Sequence, residues 1–354
     1  MESLDDLGGW PPLLSALMRG ENVSAAHTRA AMAELLAGNA TSAQIAGFVV
    51  ALRQKGETVD ELSGLLDAML DAAALVTLPP ALLARAIDIV GTGGDRSHSI
   101  NVSTISMFVL AAGGLTVVKH GNRAASSQCG AADLLAELGV AIDLIPDELL
   151  PCVEKAGFAF CLAPTFHPAL RHAGPTRREL GVQTAFNILG PMANPARVPR
   201  LVVGLADPSM AERMLDVFAR HGAEHVLIVH GDDGLDELTT TATSSAWELH
   251  NGVRRHFSID PTVLGLPRVS MDALRGGTPA ENAALARRVL AGDKGAHRDI
   301  VTLNAGAGFL VADVVPSLEE GIQLASSLLD GGAAADALDR LVTSSNELVA
   351  ARRP

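Results

Sequence analysis

Residues 88–95 read Asp-Ile-Val-Gly-Thr-Gly-Gly-Asp, and residues 119–127 read Lys-His-Gly-Asn-Arg-Ala-Ala-Ser-Ser. In the first, a short apolar strand over 86–90 runs into a glycine-rich loop that ends in a carboxylate. In the second, a strand over 115–118 ends in a Lys-His pair and a polar turn. Glycine lets the backbone come close to a ligand, and loop N–H groups can point at phosphate oxygens. A strand, a glycine-rich turn and a helix form a common phosphate cradle. Two such loops, about one βαβ unit apart, predict an α/β fold and a ligand with phosphates at two ends.

Outward from these loops the pattern stays α/β. Strands are predicted over 86–90, 115–118, 158–162, 201–204 and 225–230, with helical stretches between them. One such stretch is 207–221, with Asp207 as cap and Pro208 at the first helical position. Residues 187–195 (Asn-Ile-Leu-Gly-Pro-Met-Ala-Asn-Pro) read as an interrupted link from a helix to a strand. The C-terminal part reads as mostly helical, with a capping box at Ser317 and Glu320. Before residue 79 the chain is all helical. Thr41 with Gln44, and Thr58 with Glu61, match capping boxes. Behind them come Ile45, Phe48, Val49 and Leu52, then Leu62, Leu65, Leu66 and Met69, at helical spacing. Pro79 and Pro80 mark a hinge or boundary.

Composition narrows the function. The 354 residues are 48% apolar and 19% charged, enough for a large core and two domains. The formal charge of −13 argues against a nucleic-acid binder, which needs a basic footprint. The apolar run 107–118 is too short for a bilayer, which takes roughly 20 residues. Three cysteines without a CxxC pair, and an acidic start without a signal-peptide pattern, fit a reducing cytoplasm.

The chemistry-bearing residues fall in four places. In the loop 91–104, Gly91, Gly93 and Gly94 allow close backbone approach, and Asn101, Ser103 and Thr104 begin a helix whose N-terminus favours an anion. Lys119 offers a cation to a phosphate, Asn122 both donor and acceptor, and Ser126 and Ser127 a cap or a phosphate contact. Asp236 and Glu237 are adjacent carboxylates on a loop after the strand 225–230. Such a pair suits Mg²⁺ together with ligand phosphates, and equally describes a solvated acidic turn. Arg177 and Arg178 offer a fork for a carboxylate. By spacing, the pairs His167/His172 and His221/His225 read as structural, and Cys129 as a packing residue.

Taken together, these segments resemble anthranilate phosphoribosyltransferases. The resemblance rests on DIVGTGGD (88–95), NVST (101–104), KHGNRAASS (119–127) and NILGPMANP (187–195). It extends through His167 in FHPALRH, Arg177 in TRREL, Asp236-Glu237 and LNAG (303–306), from about residue 10 to about 350. It implies a nucleoside phosphorylase-like fold: a small all-α domain over 1–80, joined by a later helical contribution near 168–192, and a larger α/β domain over 81–354 with a central, mostly parallel sheet. It implies transfer of the phosphoribosyl group of phosphoribosyl pyrophosphate to the amine of anthranilate, in tryptophan biosynthesis. It also implies two Mg²⁺ per site and a homodimer through the helical domain, with neither a nucleic acid nor a membrane as partner.

Carried over, phosphoribosyl pyrophosphate would be held by Gly91, Gly94, Asp95, Ser99, Asn101, Val102, Ser103, Thr104, Lys119 and Gly121. Asn122, Arg123, Ala124, Ala125, Ser126, Ser127 and Ala131 would complete that set. Gly91, His120, Asn122, His167, Arg177 and Gly190 would line the anthranilate side. The catalytic group would be Lys119, His120, Asn122 and Arg177. Ser103 and Glu237 would hold one Mg²⁺, and Asp236 with Glu237 a second. The chain departs from the commonest pattern at Arg96, where many members have Gly, at Ser99 for Thr, at Ala131 and at Leu170. The competing readings are a paralogue with another aromatic amine acceptor, a pyrimidine nucleoside phosphorylase, whose Lys-x-Ser phosphate loop GTGGD replaces, and a non-catalytic nucleic-acid-binding paralogue.

Overall fold

The computed structural model describes residues 2–95, 97–124 and 128–352. The chain opens with helices Trp10–Met18, Ala25–Ala37, Ser42–Lys55 and Val59–Asp71. Both predicted capping boxes form. Gln44 Oε1 accepts from Thr41 N at 2.8 Å and Glu61 Oε2 from Thr58 N at 2.7 Å, while each threonine hydroxyl accepts from the N–H three residues on. All eight apolar residues expected on the inner faces of these two helices are buried. Each such side chain contributes roughly 1.5–3 kcal/mol. The result is a small helical bundle in front of a larger α/β unit.

The α/β unit is built on a seven-stranded sheet: β1 (Ala86–Gly91), β2 (Thr116–Gly121), β3 (Phe158–Leu162), β4 (Arg200–Gly204), β5 (His225–Gly231), β6 (Ser244–His250) and β7 (Val253–Ile259). The order is β3-β2-β1-β4-β5-β6-β7. β1 to β5 run parallel, and β6 and β7 are antiparallel. β1 to β5 are the predicted strands, each within one residue at the ends except β2, which runs three residues further, to Gly121. Their near-continuous apolar sequence follows from burial on both faces, with helices such as Val102–Ala112 and Ala296–Val311 packed against them. The strand order reverses between β1 and β4. In an open α/β sheet that switch point, at the strands' C-terminal ends, is where a ligand crevice forms.

The C-terminal part is mostly helical, as expected, over Pro279–Leu290, Ala296–Val311, Leu318–Asp330 and Ala333–Ala351. Two strands were not foreseen: β6 and β7 form a hairpin across Asn251-Gly252, both with positive φ, 50° and 79°. That is the two-residue turn Asn-Gly favours. β7 is exposed along most of its length, so it lacks the apolar signal of its neighbours. Residues 187–192 are helical rather than an open link, because the helix Ala185–Met192 continues through Pro191. The predicted helix after Asp207 begins with a 3₁₀ turn, Pro208–Met210, and becomes α-helical over Ala211–Arg220.

The segment linking bundle and sheet is tied down by backbone bonds, Ala74 N to Phe166 O at 2.8 Å and Val76 N to Pro195 O at 3.0 Å. The turn Pro168–His172 and the helices Gly174–Leu180 and Ala185–Met192 pack back on the N-terminal helices. No helix among the described residues is long and apolar enough to cross a membrane.

Candidate active site

The crevice at the switch point is closed from above by the loop after β5. Asp236 O lies so close to Gly204 at the end of β4 that a Cβ there would stand 1.6 Å from it, and a Cβ on Gly91 would stand 2.4 Å from Asp236 Oδ2. Only glycine permits both approaches. The loop is pinned further on by Asn304, whose Oδ1 accepts from Leu238 N at 3.1 Å and whose Nδ2 donates to Leu238 O at 2.8 Å. The two carboxylates are thereby fixed over the glycine-rich loop. Asp236 Oδ2 accepts from Gly93 N at 2.7 Å, and Glu237 Oε1 from Ser103 N at 3.2 Å, at the start of the helix Val102–Ala112.

Lys119, near the end of β2, is almost fully buried. Its Nζ donates to Ile89 O at 2.6 Å and reaches Ser103 Oγ at 3.5 Å. Burial pushes its pKa down, against the pull of Asp88 and Glu237. Burial pushes Glu237 up to about 7, with Lys119 opposing. Asp236 is driven well above the usual carboxylate range, first by burial and then by the charges of Asp95 and Glu237. Three carboxyl groups thus crowd one crevice with a single nearby lysine. Their oxygens and the Ser103 hydroxyl form the hard donor set that Mg²⁺ takes, and their mutual repulsion is what a bound dication relieves.

A second group surrounds the helix Ala185–Met192. His120 Nδ1 is 3.2 Å from Gly190 O, and His167 Nε2 is 2.8 Å from Ala193 O. Each carbonyl can only accept, so those ring nitrogens carry the protons. The two rings lie 5.0 Å apart. Burial, then the neighbouring His167, lowers His120 to about 3, so the ring is neutral near pH 7. Its Nε2 is buried with no hydrogen-bond partner among the described residues. Arg177 lies over the Phe186 ring at 4.7 Å, and a Cβ at Gly190 would meet open space. His167 and His172, paired by spacing, face different neighbours. His172 sits against Gly38 at the end of the helix Ala25–Ala37.

The two groups meet through Asp88. Its Oδ2 accepts from His120 N at 3.2 Å and from Asn194 Nδ2 at 2.8 Å, while Asn194 also donates to Val118 O at 2.8 Å. Burial raises Asp88 to about 6, and Lys119 opposes the shift. Asp88, Asn194 and Asn304 stand inside the sequence motifs without a role assigned to them. The signal available was a polar residue in an otherwise apolar strand or helix.

The remaining expected residues line the rim. Asn101 bridges Cys129 O (3.0 Å) and Asn282 (2.9 Å), which holds the first loop against the second. Val102 and Thr104 are buried in the first turn of their helix. Gly94 sits against Gln183, and Ser99 Oγ accepts from Ser97 Oγ at 3.2 Å. Asn122 Oδ1 accepts from Arg123 N, and the Asp133 carboxylate takes Ala124 N at 2.8 Å, Gly130 N at 3.0 Å and the Arg123 guanidinium at 2.9 Å. The helix Ala131–Glu137 is thus capped at Gly130. Ala131 lies beside Gly121. Ala125, Ser126, Ser127 and the Arg96 departure fall outside the described residues.

With this geometry in view, relatives decide the family. A family model for the glycosyl transferase family a/b domain matches residues 83–335, and one for the family's helical bundle domain matches 11–73. Anthranilate phosphoribosyltransferase of Salinispora arenicola is 51% identical over 338 residues, 94% of this chain and 96% of that one. The chain belongs to the anthranilate phosphoribosyltransferase family. Among solved structures, the Thermus thermophilus enzyme of that name superposes with a TM-score of 0.88 at 41% identity, covering 94% of this chain and 99% of that one. The Saccharomyces cerevisiae enzyme, in complex with PRPP and Mg, gives 0.85 at 27% identity, covering 95% and 98%. The family's two-part architecture is the one described above.

Proposed function

We propose that the protein transfers the phosphoribosyl group of phosphoribosyl pyrophosphate to the amine of anthranilate, giving N-(5-phosphoribosyl)anthranilate and pyrophosphate. The observation that carries this reading is the buried Asp236–Glu237 pair. It is held by Gly93 N and Ser103 N, at the loop and the helix start of one phosphate cradle, with Lys119 alongside. The curated relatives carry that activity in their names, and the yeast structure contains PRPP and Mg.

In the reaction the anthranilate nitrogen forms a bond to ribose C1 as the C1–O bond to pyrophosphate breaks and its electron pair leaves with the pyrophosphate. The new C–N bond is neutralised by loss of a proton from nitrogen. Mg²⁺, when bound by Ser103, Asp236 and Glu237, supplies charge neutralisation on the leaving pyrophosphate, and two ions are proposed from this donor set. The backbone N–H groups of the loop 91–95 and the Lys119 cation hold the phosphates and stabilise the charge that develops there. Gly91, Gly94, Asp95, Ser99, Asn101 and residues 121–127 complete the phosphoribosyl side. On the other side Arg177 takes the anthranilate carboxylate, and Asn122, His167 and Gly190 shape the cleft. His120, neutral near pH 7, has a buried Nε2 without a partner among the described residues, and its role is to orient the acceptor through that lone pair. An aromatic ammonium sheds its proton to water without help.

We further place the division of the chain at 1–80 and 81–354, with 168–192 on the helical side. The packing of those helices against the N-terminal ones supports this. A homodimer through the helical domain is proposed on the apolar surface that Met18 and Val50 offer there. The buried cysteines, none in a disulfide, fit a cytoplasmic setting.

The test is loss of anthranilate fluorescence with phosphoribosyl pyrophosphate and Mg²⁺, with and without EDTA. Metal-dependent loss is expected. No loss, in folded protein that binds phosphoribosyl pyrophosphate, overturns the acceptor assignment.

A further inference from the structure

The edge of the sheet opposite the crevice carries a second cluster of chemistry-bearing residues. His225 begins β5 and pairs in register with His250 at the end of β6, and their rings stack at 3.9 Å. The crevice residues follow the other end of β5. Seven residues at about 3.3 Å each put the two places on the order of 20 Å apart. The sequence pairs His225 with His221, four residues away, but the chain turns at Gly222 and the pair never forms. His221 Nε2 goes instead to Asp67 Oδ1 at 3.0 Å.

The hydrogen bonding of His225 decides which of its nitrogens is free to bind. Its Nε2 lies 2.9 Å from Glu248 Oε1, and Glu248 is itself held by Arg255 through Oε2 at 2.8 Å. Both neighbours favour the ionised form of Glu248. The carboxylate can only accept, so Nε2 carries a proton, and Nδ1 is the nitrogen left for a further partner. That Nδ1 is buried without a hydrogen-bond partner among the described residues. Facing it at 3.5 Å is Asp313 Oδ1, and the same oxygen is 3.3 Å from His250 Nε2. One carboxylate oxygen thus stands beside a nitrogen of each of the two stacked histidines.

Asp313 adds an independent observation. It follows the helix Ala296–Val311 in the left-handed conformation, φ 54°, where glycine or asparagine is the usual residue. Aspartate is one of the few other residues that adopt it, and its side chain is the one that touches both histidines. The cluster opens on a cleft of about 460 Å³, which Phe257, Val315 and Ser317 help to line.

We infer that His225 Nδ1, His250 Nε2 and Asp313 Oδ1 form a binding site for a divalent transition-metal ion of the zinc class, with Glu248 orienting His225 and the fourth position open to the cleft. Tetrahedral ligands at about 2.0–2.1 Å from such an ion stand roughly 3.3–3.4 Å apart, and the two recorded edges are 3.3 and 3.5 Å. A carboxylate on the far nitrogen of a ligating histidine is the usual supporting partner. His250 and Asp313 are 32% and 48% exposed, so both can turn onto the ion while His225 stays fixed. The two-nitrogen, one-oxygen donor set discriminates this site from the all-oxygen set of the crevice.

The test titrates the full-length protein with Co²⁺ and then Zn²⁺ in millimolar Mg²⁺, which keeps the crevice occupied. One Co²⁺ per chain with the intense visible bands of a tetrahedral centre, displaced by Zn²⁺, is expected. Two variants follow, His250→Gln and Asp313→Gly. The second removes the ligand while relieving the backbone, so its metal-free melting temperature should not fall. Both should lose at least tenfold in Zn²⁺ affinity and keep phosphoribosyl transfer. Absence of saturable Co²⁺ binding in Mg²⁺, or unchanged affinity in both variants, overturns the site. Neither result bears on the transferase assignment, which is read from the Mg²⁺-dependent activity of the same samples.

Discussion

Two buried acidic sites in this molecule are built on opposite terms. In the helical bundle, Glu61 is fully buried and every oxygen is used. Oε1 accepts from Val23 N at 2.9 Å, and Oε2 from Thr58 N at 2.7 Å and from Lys55 Nζ at 2.8 Å. In the crevice, Asp236 and Glu237 are nearly as buried, yet each takes one backbone N–H and both are pushed towards protonation. A carboxylate that is buried and satisfied holds a fold together. One that is buried and left short of positive charge awaits a ligand that brings it.

The largest effect that separates the two is on turnover. Replacing Asp236→Asn and Glu237→Gln together removes the anionic donors while keeping the shape. Activity should fall on the order of 10³-fold, the scale of losing charge stabilisation at a leaving group, with the melting temperature kept or raised because the repulsion is gone. Glu61→Ala should do the reverse, costing about 3–5 kcal/mol of stability through the stranded Lys55 while kcat/KM at a permissive temperature is unchanged. If the crevice variant unfolds, or the bundle variant loses activity in folded protein, the contrast is wrong.

A smaller effect sharpens the division within the crevice. Arg177 lies over Phe186, on the helix that also carries Gly190, and is proposed to take the anthranilate carboxylate. Arg177→Ala should raise KM for anthranilate about 10–100-fold, the cost of losing a charged hydrogen-bonded pair, and KM for phosphoribosyl pyrophosphate far less. The opposite split in steady-state kinetics would move Arg177 to the phosphate side.

How far the sequence reaches follows from the same contrast. The bundle was legible because its signals are local: Thr41 with Gln44 and Thr58 with Glu61 are three residues apart and lie next to the apolar faces they start. The parallel strands were legible for the same reason, as short apolar runs that end in turn residues. The resemblance supplied the members of the site, whereas their electrostatics come from packing. Glu237 is a plain acidic-turn residue until β5 delivers it to Ser103 N, 134 positions earlier in the chain. Asp88 and Asn194 meet across 106 positions, and Asn304 reaches back 66 to Leu238. The β6–β7 hairpin carried its Asn-Gly turn in plain view, but the exposed polar outer strand hid the alternation that would have made it a strand.

The finest difference between the two acidic sites is in their response to pH. Glu237 goes from a usual value of 4.5 to about 7 in the folded chain, chiefly through burial. A raised carboxyl contributes stability that is fully present below 4.5 and is lost as pH rises through 7, because the folded state then holds a charge that the unfolded state solvates better. Asp88, raised from 3.8 to about 6, acts in the same direction slightly lower. Mg²⁺ binds the ionised form and opposes this loss. The gain in melting temperature on adding Mg²⁺ should therefore grow between about pH 4.5 and 7 and level off above. In Glu237→Gln that growth should flatten, and in Glu61→Ala it should match the parent. Thermal scans at half-unit pH steps, with and without Mg²⁺, decide it. A gain that is flat with pH in the parent protein would mean that the crevice carboxylates are already paired, and the distinction between the two acidic sites would fall.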